Sequence, residues 1–158
     1  MRNLYKVGTP RSDTIADGRL RYYSVHYQAT PPLIRGTVRH PLSATEMTEA
    51  CEMILEHAQR HNCPYWLLDG RADASGRPTD VYEWLAEEFL PRVHRTLGRV
   101  PCLAFIAQAE FWQELRAHHY APPTAALQLA TYRAGWFVDE TTAQAWLNQF
   151  RPALGYKR

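Results

Sequence analysis

A chain of 158 residues, 46% hydrophobic and 22% charged, has the size and balance of one globular domain with a core of its own. A net charge of +2, with no Lys/Arg run longer than two residues, excludes the basic stripe that binding to a nucleic-acid backbone requires. No stretch is long and apolar enough for a membrane span, and Cys51, Cys63 and Cys102 stand at unrelated spacings in apolar surroundings, as small buried side chains do in a reducing compartment.

Residues 1–18 are polar and broken by Gly8, Pro10 and Gly18, which reads as an extended N-terminal arm. They hold no apolar run of the kind a secretory leader carries, so the expected location is cytoplasmic. The remainder, 19–158, reads as one domain. From Leu20 to Gln28, Tyr23, Val25 and Tyr27 alternate with Ser24, His26 and Gln28, the period of a half-buried strand. Thr30-Pro31-Pro32 supplies a turn, and LIRGTVRH continues as the second strand of an antiparallel hairpin. Ser43, with Glu46 three residues on, forms a capping-box pattern that opens a helix to about Arg60, with Met47, Ala50, Cys51, Ile54 and Ala58 on its inner face.

Tyr65–Leu68 is an uninterrupted apolar run, the mark of a strand buried on both faces. A second helix is expected from Asp80 to Gly98, with Pro91 kinking or splitting it because proline removes an interior hydrogen bond. VPCLAFIA, residues 100–107, is the fourth strand. A short helix follows over Glu110–His118, and LQLATYRAGWFV is the fifth strand, with Gly135 as a bulge. A closing helix opens at Asp139 or Thr141 and turns Ala145, Trp146 and Phe150 inward. A hairpin followed by alternating helices and strands implies an α/β domain: one five-stranded mixed sheet, its later strands parallel, with four or five helices.

The closing phrase GWFVDETTAQAWL, with Asp139-Glu140, Ala143, Trp146 and Leu147, resembles the ending of small uncharacterised bacterial members of the STAS and anti-sigma-factor-antagonist-like superfamily. By order of elements the likeness covers roughly residues 20–150. It implies a STAS-like fold and a non-catalytic, regulatory role in binding a protein partner. Members of that superfamily are switched by phosphorylation of a serine directly after an aspartate, between the third strand and the second helix. Here the corresponding stretch reads Asp73-Ala74-Ser75-Gly76, with alanine at the acceptor position and Ser75 matching the residue after it.

In an open α/β sheet, ligands bind beyond the carboxyl ends of parallel strands. Asp69 is placed at such an end, and the loop after it brings Arg71, Asp73, Ser75 and Arg77 toward the start of the second helix, where free N–H groups favour an anion. The plain alternative is a connector whose arginines neutralise its own aspartates. Asp69 and Asp73 are separated by three residues instead of one, which excludes an aspartate-based phosphatase. His57 and His61 have the four-residue spacing of helical zinc ligands. Ala58 replaces the glutamate of a zinc protease, however, and histidines in a last helical turn serve its dipole. His40, His118 and His119 lie beside no nucleophile phrase. Phe111 and Trp112 are adjacent on a short helix and cannot both face inward, so Trp112 is a candidate contact for a partner or apolar ligand.

The expected function is therefore a module that binds a protein or a small ligand around Asp69, Arg71, Asp73, Ser75, Arg77 and Trp112. No cofactor, metal, nucleic acid or membrane is called for, and a homodimer is possible. The alternatives are a small hydrolase-like enzyme using Asp69 with a loop histidine, and a homodimeric scaffold.

Overall fold

The computed structural model describes residues 17–73, 83–117, 127–128 and 131–152. One mixed sheet organises them. Its strands in chain order are β1 (Asp17–Leu20), β2 (Tyr23–Ala29), β3 (Pro32–Val38), β4 (Tyr65–Asp69), β5 (Cys102–Ile106), β6 (Leu127–Gln128) and β7 (Arg133–Phe137), and their spatial order is β1-β2-β3-β4-β5-β7-β6. The helices are α1 (Ala44–His61), α2 (Leu90–Leu97), α3 (Ala109–Ala117) and α4 (Glu140–Asn148), with a π-helical turn, Leu85–Phe89, leading into α2.

The α/β class and mixed sheet follow the expected pattern, but there are more strands than five. Two single strands of the sequence reading are in fact two hairpins. Leu20 pairs with Tyr23 across a two-residue turn, so β1 folds back on β2 and the sheet starts at Asp17, inside the segment read as an arm. At the other edge β6 runs antiparallel to β7, with Gln128 opposite Arg133. Between these edges β3, β4, β5 and β7 are parallel neighbours. Each step moves the same way along the sheet. Right-handed crossovers then place α1 and α2 on one face. The opposite face of β4, β5 and β7 is left to α4, which follows the last strand.

Sequence alternation decides which side chains meet which layer. Ile34, Trp66, Leu103 and Ala134 are successive register partners on the face under α1 and α2, and all four are buried. α1 starts as its pattern requires: Glu46 N–H donates to Ser43 Oγ (3.1 Å) while Ser43 N–H donates to Glu46 Oε1 (3.0 Å). It stops where Asn62 adopts a left-handed conformation (φ 50°) and donates to the carbonyls of Ala58 and Gln59. Pro91 does not break the second helix. The turn ahead of it widens instead: Leu90 N–H reaches back five residues to Leu85, a register that relieves the crowding a proline imposes on the preceding turn. The proposed start at Asp80 lies outside the described residues.

α4 opens on Asp139, whose carboxylate accepts from Thr142 N–H at 2.8 Å. It buries Ala143, Trp146 and Leu147 and leaves Ala145, expected inward, exposed. Nor is Gly135 a bulge, since Ala134, Gly135 and Trp136 pair in unbroken register with Leu103, Ala104 and Phe105. The glycine is required for packing. A Cβ there would stand 2.8 Å from the Phe137 ring and 3.1 Å from Trp146.

Candidate functional site

β4 and β5 end side by side at Asp69 and Ile106, and Gly70 N–H extends their ladder by donating to Ile106 O at 2.7 Å. A Cβ on Gly70 would meet that oxygen at an ordinary 3.4 Å. The exit from the strand is thus set by this bond and by Asp69, and a glycine is not sterically required. Asp69 Oδ1 accepts from Arg71 N–H at 3.0 Å, closing a side-chain-to-backbone turn, and the Arg71 guanidinium folds back on the same carboxylate. Nε lies 3.0 Å from Oδ1 and Nη2 lies 2.7 Å from Oδ2. Burial works to raise the Asp69 carboxyl, but the Arg71 hydrogen bonds and charge outweigh it and hold the group below the ordinary aspartate range. Gln108 Nε2 then donates to Arg71 O at 2.7 Å, tying the turn to the segment after β5.

Such a pairing is what a plain connector would show for Arg71, while a cavity opens beside the same loop. The guanidinium is engaged with the aspartate instead of being offered to a ligand. Ser75, Arg77, His118 and His119 lie outside the described residues. Asp73 is nine-tenths buried; its N–H donates to Gly70 O (3.0 Å) and its Oδ1 accepts from Leu42 N–H (3.3 Å), fastening the loop to the segment that leads into α1. His40 is exposed, its Nδ1 2.9 Å from Pro41 O.

Beneath the loop the layers do not close. A cavity of about 130 Å³ lies between the sheet face that carries Trp66, Phe105 and Trp136 and the helical layer that carries Ile54 and Phe89. Asp69, Gly70 and Asp73 border it at the carboxyl edge of the strands. Leu85 and Phe89 of the π-helical turn ahead of Pro91 line it from the helical side, and Ala134 and Trp136 line it from the sheet. Tyr23 is buried at one wall, close enough to Asp69 to feel its charge; burial first, then Cys51 and Asp69, push its hydroxyl far above the ordinary tyrosine range, so it stays protonated.

Phe111 and Trp112 are both half-buried and both reach the cavity, so the contrast of one buried and one exposed ring does not hold. Trp112 stands edge-on to Trp136, centroids 6.4 Å apart, and its Nε1–H donates to Phe137 O at 3.3 Å. It is a wall of the cavity, not a free surface aromatic. Besides Asp69, Asp73 and Trp112, the sequence offered no sign of the other walls. Trp66, Phe89, Phe105 and Trp136 read simply as core.

The opposite face of the same edge holds a second charged group: Arg35 Nη2 is 2.8 Å from Glu140 Oε2, which also accepts from Gln144 at 3.0 Å. These contacts fill the start of α4 with the protein's own carboxylates, Asp139 and Glu140.

The histidine pair on α1 is not solvent-facing at the helix end. His57 is buried against Gly18 of β1 with Nδ1 2.9 Å from Met53 O, and His61 stacks on Tyr27 at 3.8 Å. Among the described residues no group of three His, Cys, Asp or Glu side chains is placed to hold a metal ion, and no helix is long and apolar enough to cross a membrane. Comparison with known protein families, with curated proteins and with solved structures found no match.

Proposed function

We propose that this protein is a non-catalytic binding module, of regulatory kind, that takes a small apolar ligand in the cavity under the Asp69–Asp73 loop. The observation that carries the reading is the cavity itself. Well-packed interiors leave few voids larger than a water molecule, whereas this one is about 130 Å³, walled by aromatic rings, and lies at the carboxyl ends of parallel strands. Asp73 gives such a module an output. It borders the cavity while hydrogen-bonded to Leu42, so a ligand that displaces the loop also disturbs the entry to α1, and a protein partner or a second copy of the chain could sense either. A leading hairpin, helices alternating with parallel strands, and a closing helix anchored by Trp146 support a STAS-like placement, with ligand occupancy standing in for a phosphoserine switch.

A hydrolase built on Asp69 is the weaker reading. A general base must be free to take a proton, and this carboxylate is held ionised by a two-point contact with Arg71. Saturating the protein with benzene tests the binding module. Ligand that binds the folded state alone raises the melting temperature and shifts the resonances of Trp66 and Phe89. An unchanged melting curve with unshifted indole signals rejects the reading.

A further inference from the structure

The two ends of the parallel strands differ in charge. At the carboxyl edge the arginines are paired in place, Arg71 with Asp69 and Arg35 with Glu140. The amino edge is built from residues 29–32, 62–65, 98–102, 131–133 and 148–152, and none of these segments contains an Asp or a Glu. They carry Arg99, Arg133 and Arg151 instead, each held by an uncharged partner. Arg99 Nη1 donates to Asn62 O at 2.9 Å. Arg151 Nε donates to Asn148 Oδ1 at 2.9 Å, and its Cζ lies 4.6 Å from the centre of the Tyr65 ring. Arg133 Cζ lies 5.1 Å from the centre of the Phe150 ring, with Nη1 4.0 Å from Cys102 Sγ. Among the described residues Arg35, Arg60, Arg71 and Arg92 form ion pairs with carboxylates, and these three do not. Their charges also converge. Burial pushes the Cys102 thiol up, and Arg133, Arg151 and Arg99 all act against that rise, so the three fields meet at one buried sulfur.

Charge counting narrows what fits there. The carbonyl ends of two helices account for part of the arrangement: α1 ends against Asn62 and α4 ends at Asn148, and each helix C-terminus presents about half a negative charge. Together they offset about one of the three positive charges and leave about two. A carboxylate would cancel one of these. A phosphate group, carrying about −1.5 to −2 at neutral pH, cancels both, and guanidinium forks match its oxygens in pairs. We propose that the amino edge of the sheet binds a single phosphate group between Arg99, Arg133 and Arg151, supplied either as the free ion or as a monoester. Three arginines at one end suit one phosphate, whereas a nucleic-acid strand presents a row of them. The site lies at the opposite end of the strands from the cavity and does not depend on it.

Inorganic phosphate, glycerol 2-phosphate and acetate, titrated into the full chain at neutral pH and constant ionic strength, test this. The Nε–H NMR signals of Arg99, Arg133 and Arg151 should shift together and saturate with both phosphates. Acetate should bind about tenfold or more weakly, the effect of one charge-assisted hydrogen bond lost. Tighter glycerol 2-phosphate marks a monoester as the source, and tighter inorganic phosphate marks the free ion; either supports the site. Arg99 is exposed, and in Arg99→Gln the side-chain amide can still donate to Asn62 O. That variant should bind phosphate about tenfold more weakly without melting lower in phosphate-free buffer, because it also relieves repulsion among the three cations. Should it fail to fold, the wild-type series decides alone. Equal binding of acetate and phosphate, shifts that grow without saturating, or phosphate binding unchanged in Arg99→Gln would each overturn the proposal. None of these probes carries a ring, so such a failure leaves the cavity reading to its own test with benzene.

Discussion

The guanidinium of Arg71 closes on the carboxylate of Asp69 through two hydrogen bonds, 3.0 Å from Nε to Oδ1 and 2.7 Å from Nη2 to Oδ2. The two residues are separated only by Gly70, and the contact gives the loop's first arginine a partner within its own turn. It neutralises a strand-end carboxylate that is largely withdrawn from water, 17% exposed against 42% for its partner. Because both members are local, the pair forms at little cost in chain entropy.

The titration of Asp69 follows from this contact. Its folded value lies below the unfolded one, so its contribution to stability is present above the ordinary aspartate range, near ~3.9, and is lost as pH falls through the depressed folded value. In Arg71→Ala, burial acts without its main opponent, and the Asp69 carboxyl should rise into the ordinary range or above it. The stability gap between wild type and variant is then widest at neutral pH and closes in acid. NMR titration of the Asp69 side chain, with denaturant curves at several pH values, checks both. A carboxyl that stays depressed in the variant would show that the backbone N–H at position 71, with Arg35, governs it instead of the guanidinium.

Trp146 should be the costliest single residue of α4. It packs 5.6 Å from the Phe137 ring and 4.9 Å from Phe150 between centroids, over Gly135, and is 9% exposed. Trp146→Ala removes the side chain that joins α4 to β7 and should cost about 3–5 kcal/mol. At about 2–4 °C per kcal/mol for a chain of this size, the melting temperature should fall by about 10 °C. A variant melting within about 2 °C of wild type would mean that Ala143 and Leu147 hold the helix alone.

Gly135 tests the same interface from the sheet side. Gly135→Ala places a methyl 2.8 Å from the Phe137 ring, which cannot be met without displacing that ring or the Trp146 indole. An overpacking cost of about 1–3 kcal/mol is expected. The cost should shrink in a Phe137→Ala background, because the clashing atoms are gone. Undiminished destabilisation in the double variant would trace the effect to the backbone instead of the ring contact.

Features that depend on neighbours in sequence were legible. The Ser43–Glu46 capping box, the Tyr23–Val25 alternation and the Asp69 strand end each follow from residues within a few positions, and each falls where the pattern places it. The β1–β2 hairpin was not legible because its turn, Arg21-Tyr22, contains no glycine, asparagine or proline and needs no positive φ. The widened turn before Pro91 escaped notice for a related reason: proline announces a disturbance, while its resolution depends on what the helix packs against. Least legible was the cavity. Trp66, Phe89, Phe105 and Trp136 are all plausible core residues, and nothing in a linear pattern says that their summed volumes fail to fill the space between two layers. The Asp73–Leu42 contact, 31 residues apart in the chain, is equally invisible without the fold.

Filling the cavity gives the last prediction. Ala107 is buried directly after β5, its N–H donating to Phe137 O at 3.0 Å, and it lines the void beside Asp69 and Gly70. Ala107→Leu adds three carbons at a point where space already exists. Adding methylenes to a packed core costs about 1–3 kcal/mol, but here the new atoms gain contacts on surfaces that lack them. The variant should therefore be as stable as wild type or slightly more so. The same carbons occupy ligand space, so benzene should no longer raise its melting temperature. Stability and binding thus move in opposite directions, a pairing that neither general destabilisation nor a remote site produces. A marked loss of stability would show that the void closes in solution, and retained benzene binding would place the ligand elsewhere.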